Sequence, residues 1–173
     1  MAITLYDATV RSWLQELTAA EGFLEKGLAH CREHGVDPAE MLGTRLWPDM
    51  LALRFQIHAI VYHSTGALDG VKAGVFRPPS DLPELDYPGM QARVAAAIAT
   101  LRGLNVEDLD KLQGTEVVFD FRGRQLPFYA EDFLLSFSMP NFWFHATTAY
   151  DILRHKGVPL CKRDFLGALR MKQ

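Results

Sequence analysis

The chain has 173 residues and an apolar fraction of 49%, values that suit one domain with a sizeable buried core. Its formal net charge of −3 gives no reason to expect nucleic acid or an anionic membrane as a partner. No basic segment followed by an apolar run stands near the start, so we expect no signal peptide. Cys31 and Cys161 form no metal or redox spacing, and free thiols are favoured over a disulfide between them.

The first predicted helix covers residues 5–33. Apolar residues recur at steps of three and four from Tyr6 to Leu28, which places them on one face of a helix. Polar residues, Glu16 among them, are predicted to occupy the other faces. Gly35 ends this helix, and a connector with a turn or two of helix follows from Pro38.

The second predicted helix begins near Pro48, a residue that suits a first helical turn, and runs to about residue 67. Residues 71–90 contain four prolines and are predicted to form a long loop that crosses along the bundle. A third helix covers residues 89–104. Asn105 then caps a short helix that ends at Gly114.

The spacing of apolar residues changes to every second position after Gly114. Val117, Phe119 and Phe121 alternate with other residues, and Gly123 lies where two short strands would turn. This pattern predicts a small β-hairpin.

The last predicted helix covers residues 131–158, and the tail beyond it is expected to pack Phe165 and Leu166 on the body. Pro140 either kinks one long helix or begins a shorter helix that follows a loop. We favour the kink, because the apolar spacing continues upstream of Pro140. The aromatic residues Trp143, Phe144 and Tyr150 are expected to meet the hairpin or a second subunit in part.

These elements predict a mainly α protein, namely a single four-helix-bundle domain over residues 1–173. The second connection is the long crossover, and the small hairpin precedes the last helix.

Four segments carry a resemblance to a known family: RLWPDM (45–50), LRFQIH (53–58), PNFWFHATTAYDILRHKGV (140–158) and KRDFLG (162–167). Over its full length the chain resembles a bacterial family of domains of unknown function that is grouped with the DinB/YfiT-like proteins. The resemblance implies the same four-helix fold, a cytoplasmic location and a homodimer. It also implies a divalent metal, nickel or zinc, because wider relatives bind one through a histidine on helix two and an H-x-x-x-H pair on helix four.

Transferred to this chain, the resemblance places the first metal ligand at His58 and the second at His145. Ala149 stands where the third ligand would be, and alanine has no donor atom. One hypothesis is therefore a metal-dependent transferase, with a thiol as one substrate, or a hydrolase that uses the two histidines. The favoured hypothesis is a dimeric protein that binds a small molecule or has a structural role, with the histidines buried and bonded to Tyr62, Thr148 or a water.

Other residues have more than one interpretation. Arg45 is a candidate anion-binding residue at the start of helix two, although an ion pair with Asp49 is favoured. His63 and His155 are predicted to lie at the surface or at helix ends. A pocket beside the histidines is predicted to be lined by Leu51, Phe55, Tyr62, Phe142 and Ala149.

Overall fold

A computed structural model describes residues 3–172, and it confirms the mainly α class with a small sheet. The four long helical parts of the bundle pack in pairs, α2 on α6 and α4 on α9. The helices are α1 (Leu5–Ala8), α2 (Val10–His34), α3 (Pro38–Gly43), α4 (Leu53–Val61), α5 (Ala67–Ala73), α6 (Tyr87–Arg102), α7 (Val106–Asp110), α8 (Ala130–Asp132), α9 (Met139–His155) and α10 (Lys162–Leu166). The strands are β1 (Val75–Phe76), β2 (Glu116–Phe121) and β3 (Arg124–Tyr129), and π-helical segments Tyr62–Gly66 and Phe133–Ser138 join α4 to α5 and α8 to α9.

The first predicted helix is divided at Thr9. The hydroxyl of Thr9 donates to the carbonyl of Leu5, and its backbone departs from helical values with φ −107° and ψ −72°. Helix α2 then runs without interruption to Gly35, which adopts the left-handed conformation expected of a C-terminal glycine.

Glu16 contradicts the predicted polar face of this helix. Its side chain points inward and the residue is only 2% exposed. Its Oε1 atom and the indole nitrogen of Trp13, one turn earlier, have no hydrogen-bond partner among residues 3–172. Burial raises the pKa of Glu16 to about 8, because a carboxylate loses hydration in the core. At neutral pH this side chain is therefore mainly a neutral carboxylic acid.

The second helix begins later than the sequence predicts. Pro48 lies in a turn rather than in a helix, because the amide of Met50 donates to the carbonyl of Trp47 and closes that turn. The helix starts at Leu53 and continues past residue 67 to Ala73, where Gly74 ends it with φ +71°.

The small sheet has the strand order β1-β2-β3, and it confirms the predicted hairpin. Arg122 and Gly123 connect β2 to β3 with φ of 51° and 79°, the two positive values of a type I′ turn. Strand β1 lies inside the predicted loop and pairs parallel to β2. Gly70 allows helix α5 to lie close to β1, since an added Cβ would lie 2.8 Å from the Cβ of Phe76.

The last helix is continuous through Pro140, so the alternative of a loop before this residue is wrong. Pro140 lies in the first turn of α9, directly after the π-helical segment Phe133–Ser138. Proline has no amide hydrogen, and here it falls where the hydrogen-bond pattern changes from π to α.

Helix α10 packs against α2 and contacts two aromatic residues of α9. The Phe165 ring lies 5.5 Å from that of Tyr150 and 6.3 Å from that of Trp143, and an ion pair joins Lys26 to Asp164. Trp143 and Tyr150 therefore meet the tail, whereas Phe144 is 57% exposed. None of the helices within residues 3–172 has both the length and the apolar character needed to cross a membrane.

Candidate functional site

His58 lies on α4 and is 2% exposed. Its Nε2 atom is 3.1 Å from the carbonyl oxygen of Pro83, in the segment that leads to α6. Burial lowers the pKa of His58, and the positive charges of Arg93 and Arg54 lower it further. His58 is therefore a neutral side chain that holds the loop against the bundle.

His145 on α9 contacts a different residue of α4. Its Nδ1 atom lies 2.7 Å from Oε1 of Gln56, which is 2% exposed. The rings of Phe55 and Phe144 meet the imidazole edge to face, with centroids 5.6 and 5.2 Å away. The two histidines are therefore bonded to groups other than Tyr62 and Thr148.

The arrangement does not fit the metal site that the fold family implies. Residues 56 and 58 point about 160° apart around a helix, so a helix that directs Gln56 at His145 turns His58 away from it. Ala149 is fully buried and offers no donor atom. Within the described part of the chain, no three His, Cys, Asp or Glu side chains come together as metal ligands. Metal binding by His58 and His145 stays a prediction that would require these side chains to move.

His63 is the histidine that lies beside His145. The two rings stack with centroids 5.9 Å apart and an angle of 13° between their planes. His63 is 8% exposed, so the prediction of a surface position is wrong, whereas His155 is exposed as predicted. The Nδ1 atom of His63 is 3.5 Å from Oγ of Ser138, and this hydroxyl donates to the carbonyl of His63 at 2.9 Å.

Both stacked histidines are neutral near pH 7. Burial lowers the pKa of His63 to about 3, and the neighbouring His145 contributes to the lowering. Burial likewise lowers the pKa of His145 to about 4. The cause is loss of hydration, which penalises the charged imidazolium in each case.

A partly enclosed cavity of about 140 Å³ lies beside His58 and His63. The β-sheet, α4, the two π-helical segments and the proline-rich chain before α6 all contribute to its wall. The lining residues are Phe55, His58, Ala59, Tyr62, His63, Phe76, Pro78, Pro79, Leu82, Phe119 and Phe137. Eight of these eleven have apolar side chains, so the wall is mainly hydrophobic.

The π-helical segments position part of this wall. Tyr62 and His63 belong to the first segment and Phe137 to the second. The hydrogen bond from Ser138 to the carbonyl of His63 joins the two segments directly. Wider π turns change which side chains face inward, and such turns occur frequently at functional sites.

Only two of the five predicted pocket residues line this cavity. Phe55 and Tyr62 line it as predicted. Leu51 is 48% exposed, and Phe142 is buried against the Trp13 ring, with centroids 6.4 Å apart. Ala149 lies in the core, so the space that its small side chain leaves is filled by packing.

Arg45 does not form the ion pair that the sequence favours. Its guanidinium donates to the carbonyl of Met50, and it forms no ion pair with Asp49 within residues 3–172. The amide of Leu53 at the start of α4 donates to the carbonyl of Thr44, next to Arg45 in sequence, and anion binding by Arg45 stays a prediction. Cys31 and Cys161 are both free thiols, as predicted.

One sequence signal could have pointed to the role of His63. Ser64 and Thr65 follow it, and both hydroxyls donate to carbonyls of the preceding turn, at Ile60 and Val61. Hydroxyl groups bonded in this way often bend a helix and change its phase. No comparable signal identifies Gln56, because most residues of α4 are buried on every side.

Comparisons with known proteins agree with this fold. Residues 5–166 match the sequence profile of a domain of unknown function, DUF1993. The chain belongs to the DUF1993 family. A crystal structure of a DinB family member protein from Shewanella denitrificans is similar, with a TM-score of 0.81 and 26% sequence identity. The match covers 98% of this chain and 95% of that chain. A comparison with curated proteins finds no match.

Proposed function

We propose that this DUF1993 protein binds a small, largely apolar molecule in the cavity beside His58 and His63. The observation that carries the proposal is the cavity itself, about 140 Å³ with eight apolar side chains in its wall. A cavity of about 150 Å³ with an apolar wall is known to hold benzene in an engineered protein. The volume therefore suits a ligand with a single ring.

The position of the cavity supports a binding site rather than a packing defect. Its wall combines the sheet, two helical parts of the bundle and the loop, which are distant in sequence and meet at this place. Ligand sites are typically concave, mainly apolar and equipped with a few polar groups, and the histidines with Tyr62 supply these groups here.

Metal-dependent transfer or hydrolysis is less well supported. It needs His58 and His145 to converge, whereas His58 contacts Pro83 and His145 contacts Gln56. The proposed binding function needs no movement of these side chains.

Thermal unfolding with toluene or benzene tests the proposal. A ligand that binds only the folded state raises the melting temperature with its concentration. The variant Ala59→Leu adds three carbons at the cavity wall, and we expect it to lose this response. Ala96→Leu makes the same change at an exposed position of α6 and should respond as the wild type does. An unchanged melting temperature in the wild type, or an equal response in Ala59→Leu, would contradict the proposal.

A further inference from the structure

Hydrogen bonds within the protein determine which polar atoms of the cavity wall remain available to a ligand. Three lining residues have polar side chains: His58, Tyr62 and His63. The hydroxyl of Tyr62 donates to the carbonyl of Arg77, so its hydrogen is not free to bind a ligand. Two of the other lining residues are prolines, which have no backbone N–H to offer.

The bond to Pro83 fixes the tautomer of His58. A carbonyl oxygen only accepts hydrogen bonds, so Nε2 of His58 carries the hydrogen and donates to it at 3.1 Å. In a neutral imidazole the other nitrogen is then an acceptor. This atom, Nδ1, has no hydrogen-bond partner among the described residues, but it is buried and has almost no accessible surface, so a ligand in the cavity does not reach it.

The same reasoning fixes the tautomer of His63. The hydroxyl of Ser138 uses its hydrogen on the carbonyl of His63, so towards Nδ1 of the same residue it can only accept. The contact is long at 3.5 Å, and it favours the hydrogen on Nδ1, which leaves a lone pair on Nε2 of His63. Stacking against His145 holds the ring in this orientation.

The wall thus combines apolar surface with one imidazole acceptor, Nε2 of His63, and has no free side-chain donor among its described residues. We propose that the cavity selects neutral single-ring aromatic molecules that carry an O–H or N–H donor, the chemical class of phenol and aniline. This inference rests on the proposed function, because it specifies the ligand of the same cavity.

Molecules that carry only acceptors, and anions, should bind less tightly in this cavity. A molecule with only an ether or carbonyl oxygen would place an acceptor against lone pairs and leave it unsatisfied, which reduces affinity by about 10-fold. A carboxylate would lose its hydration with no cation in the wall to compensate. Phenol should therefore bind in preference to anisole, its methyl ether, and to benzoate.

The dissociation constants of toluene, phenol, anisole and benzoate, measured by NMR titration at pH 7, test the inference. We expect wild-type protein to bind phenol about 10-fold more tightly than anisole, and benzoate not at all. In His63→Phe the preference for phenol over toluene should fall by about 10-fold. The wild-type comparison alone decides the matter if this variant does not fold.

The outcomes separate the two proposals. If toluene binds but phenol has no advantage over anisole, the ligand class is wrong and the binding function stands. If none of the four molecules binds, both proposals are wrong. Nitrogen-15 NMR of the His63 imidazole gives an independent result: hydrogen on Nδ1 supports the inference, and hydrogen on Nε2 overturns it.

Discussion

The buried carboxyl group of Glu16 makes a sharp prediction about stability and pH. Its native pKa is about 8, whereas a glutamate in the unfolded chain titrates near its ordinary value of 4.5. Between these values the folded protein holds a proton that the unfolded chain has lost. Stability therefore falls as pH rises through this window, because the folded state binds more protons.

The substitution Glu16→Gln removes this proton uptake and keeps the size of the side chain. For a native pKa of about 8 and an unfolded value of 4.5, the contribution of Glu16 to the free energy of unfolding falls by about 2 to 3 kcal/mol from pH 5 to pH 7. We expect the stability of Glu16→Gln relative to wild type to rise by this amount over the same interval.

Urea unfolding at several pH values measures the difference. Titration of the histidines contributes equally to both proteins, so subtraction isolates Glu16. Glu21→Gln changes an exposed carboxylate of the same helix and serves as the matched control. A Glu16→Gln difference that stays constant from pH 5 to pH 7 would show that the carboxyl group is ionised or hydrated in the folded protein.

Three further predictions follow from the site. His145 has a native pKa of about 4, below the ordinary value of 6.5, so its contribution to stability is lost as pH falls from about 6.5 towards 4. Between pH 7 and pH 5 the free energy of unfolding of the wild type should fall by about 2 kcal/mol more than that of His145→Gln. Equal falls in urea unfolding would show that His145 is not held neutral in the folded protein. Because the donor groups do not converge, mass spectrometry of untagged wild type and His145→Ala should find no stoichiometric nickel or zinc in either. One metal ion per chain, lost in the variant, would restore the metalloenzyme hypothesis. The homodimer implied by the family resemblance predicts twice the chain mass in light scattering, and Phe144→Ser, at a 57% exposed residue, tests whether α9 takes part. A single-chain mass at every concentration would contradict the dimer.

The two proposals assign separate roles to the histidines. His63 presents a lone pair at the cavity wall, His58 holds the loop through Pro83, and His145 stacks on His63 and orients its ring. Gln56 in turn accepts the hydrogen of His145 at Nδ1. A substitution at Gln56 should therefore affect the cavity through His145 and His63 without any contact with the ligand.

The local signals of the sequence determined the secondary structure well. Helix α2 ends at Gly35 and the hairpin turns at Gly123, because glycine adopts positive φ at little energetic cost. Helical apolar spacing also predicted the bundle and the membership of Phe55 and Tyr62 in a pocket. Each of these features depends on a few neighbouring residues, whose conformational preferences act before any distant contact forms.

Only the tertiary structure decided which side chains meet. The apolar spacing assumes 3.6 residues per turn throughout, but the segment Tyr62–Gly66 follows a wider π turn that shifts the phase and turns His63 inward. A helix buried on most sides, as α4 is, has no single apolar stripe, so Gln56 and His58 could not be assigned to faces. The cavity unites Phe55, Phe119 and residues between and beyond them, which only folding brings together. The phase of a helix and the contacts between distant segments are set by packing, and packing is a property of the whole chain.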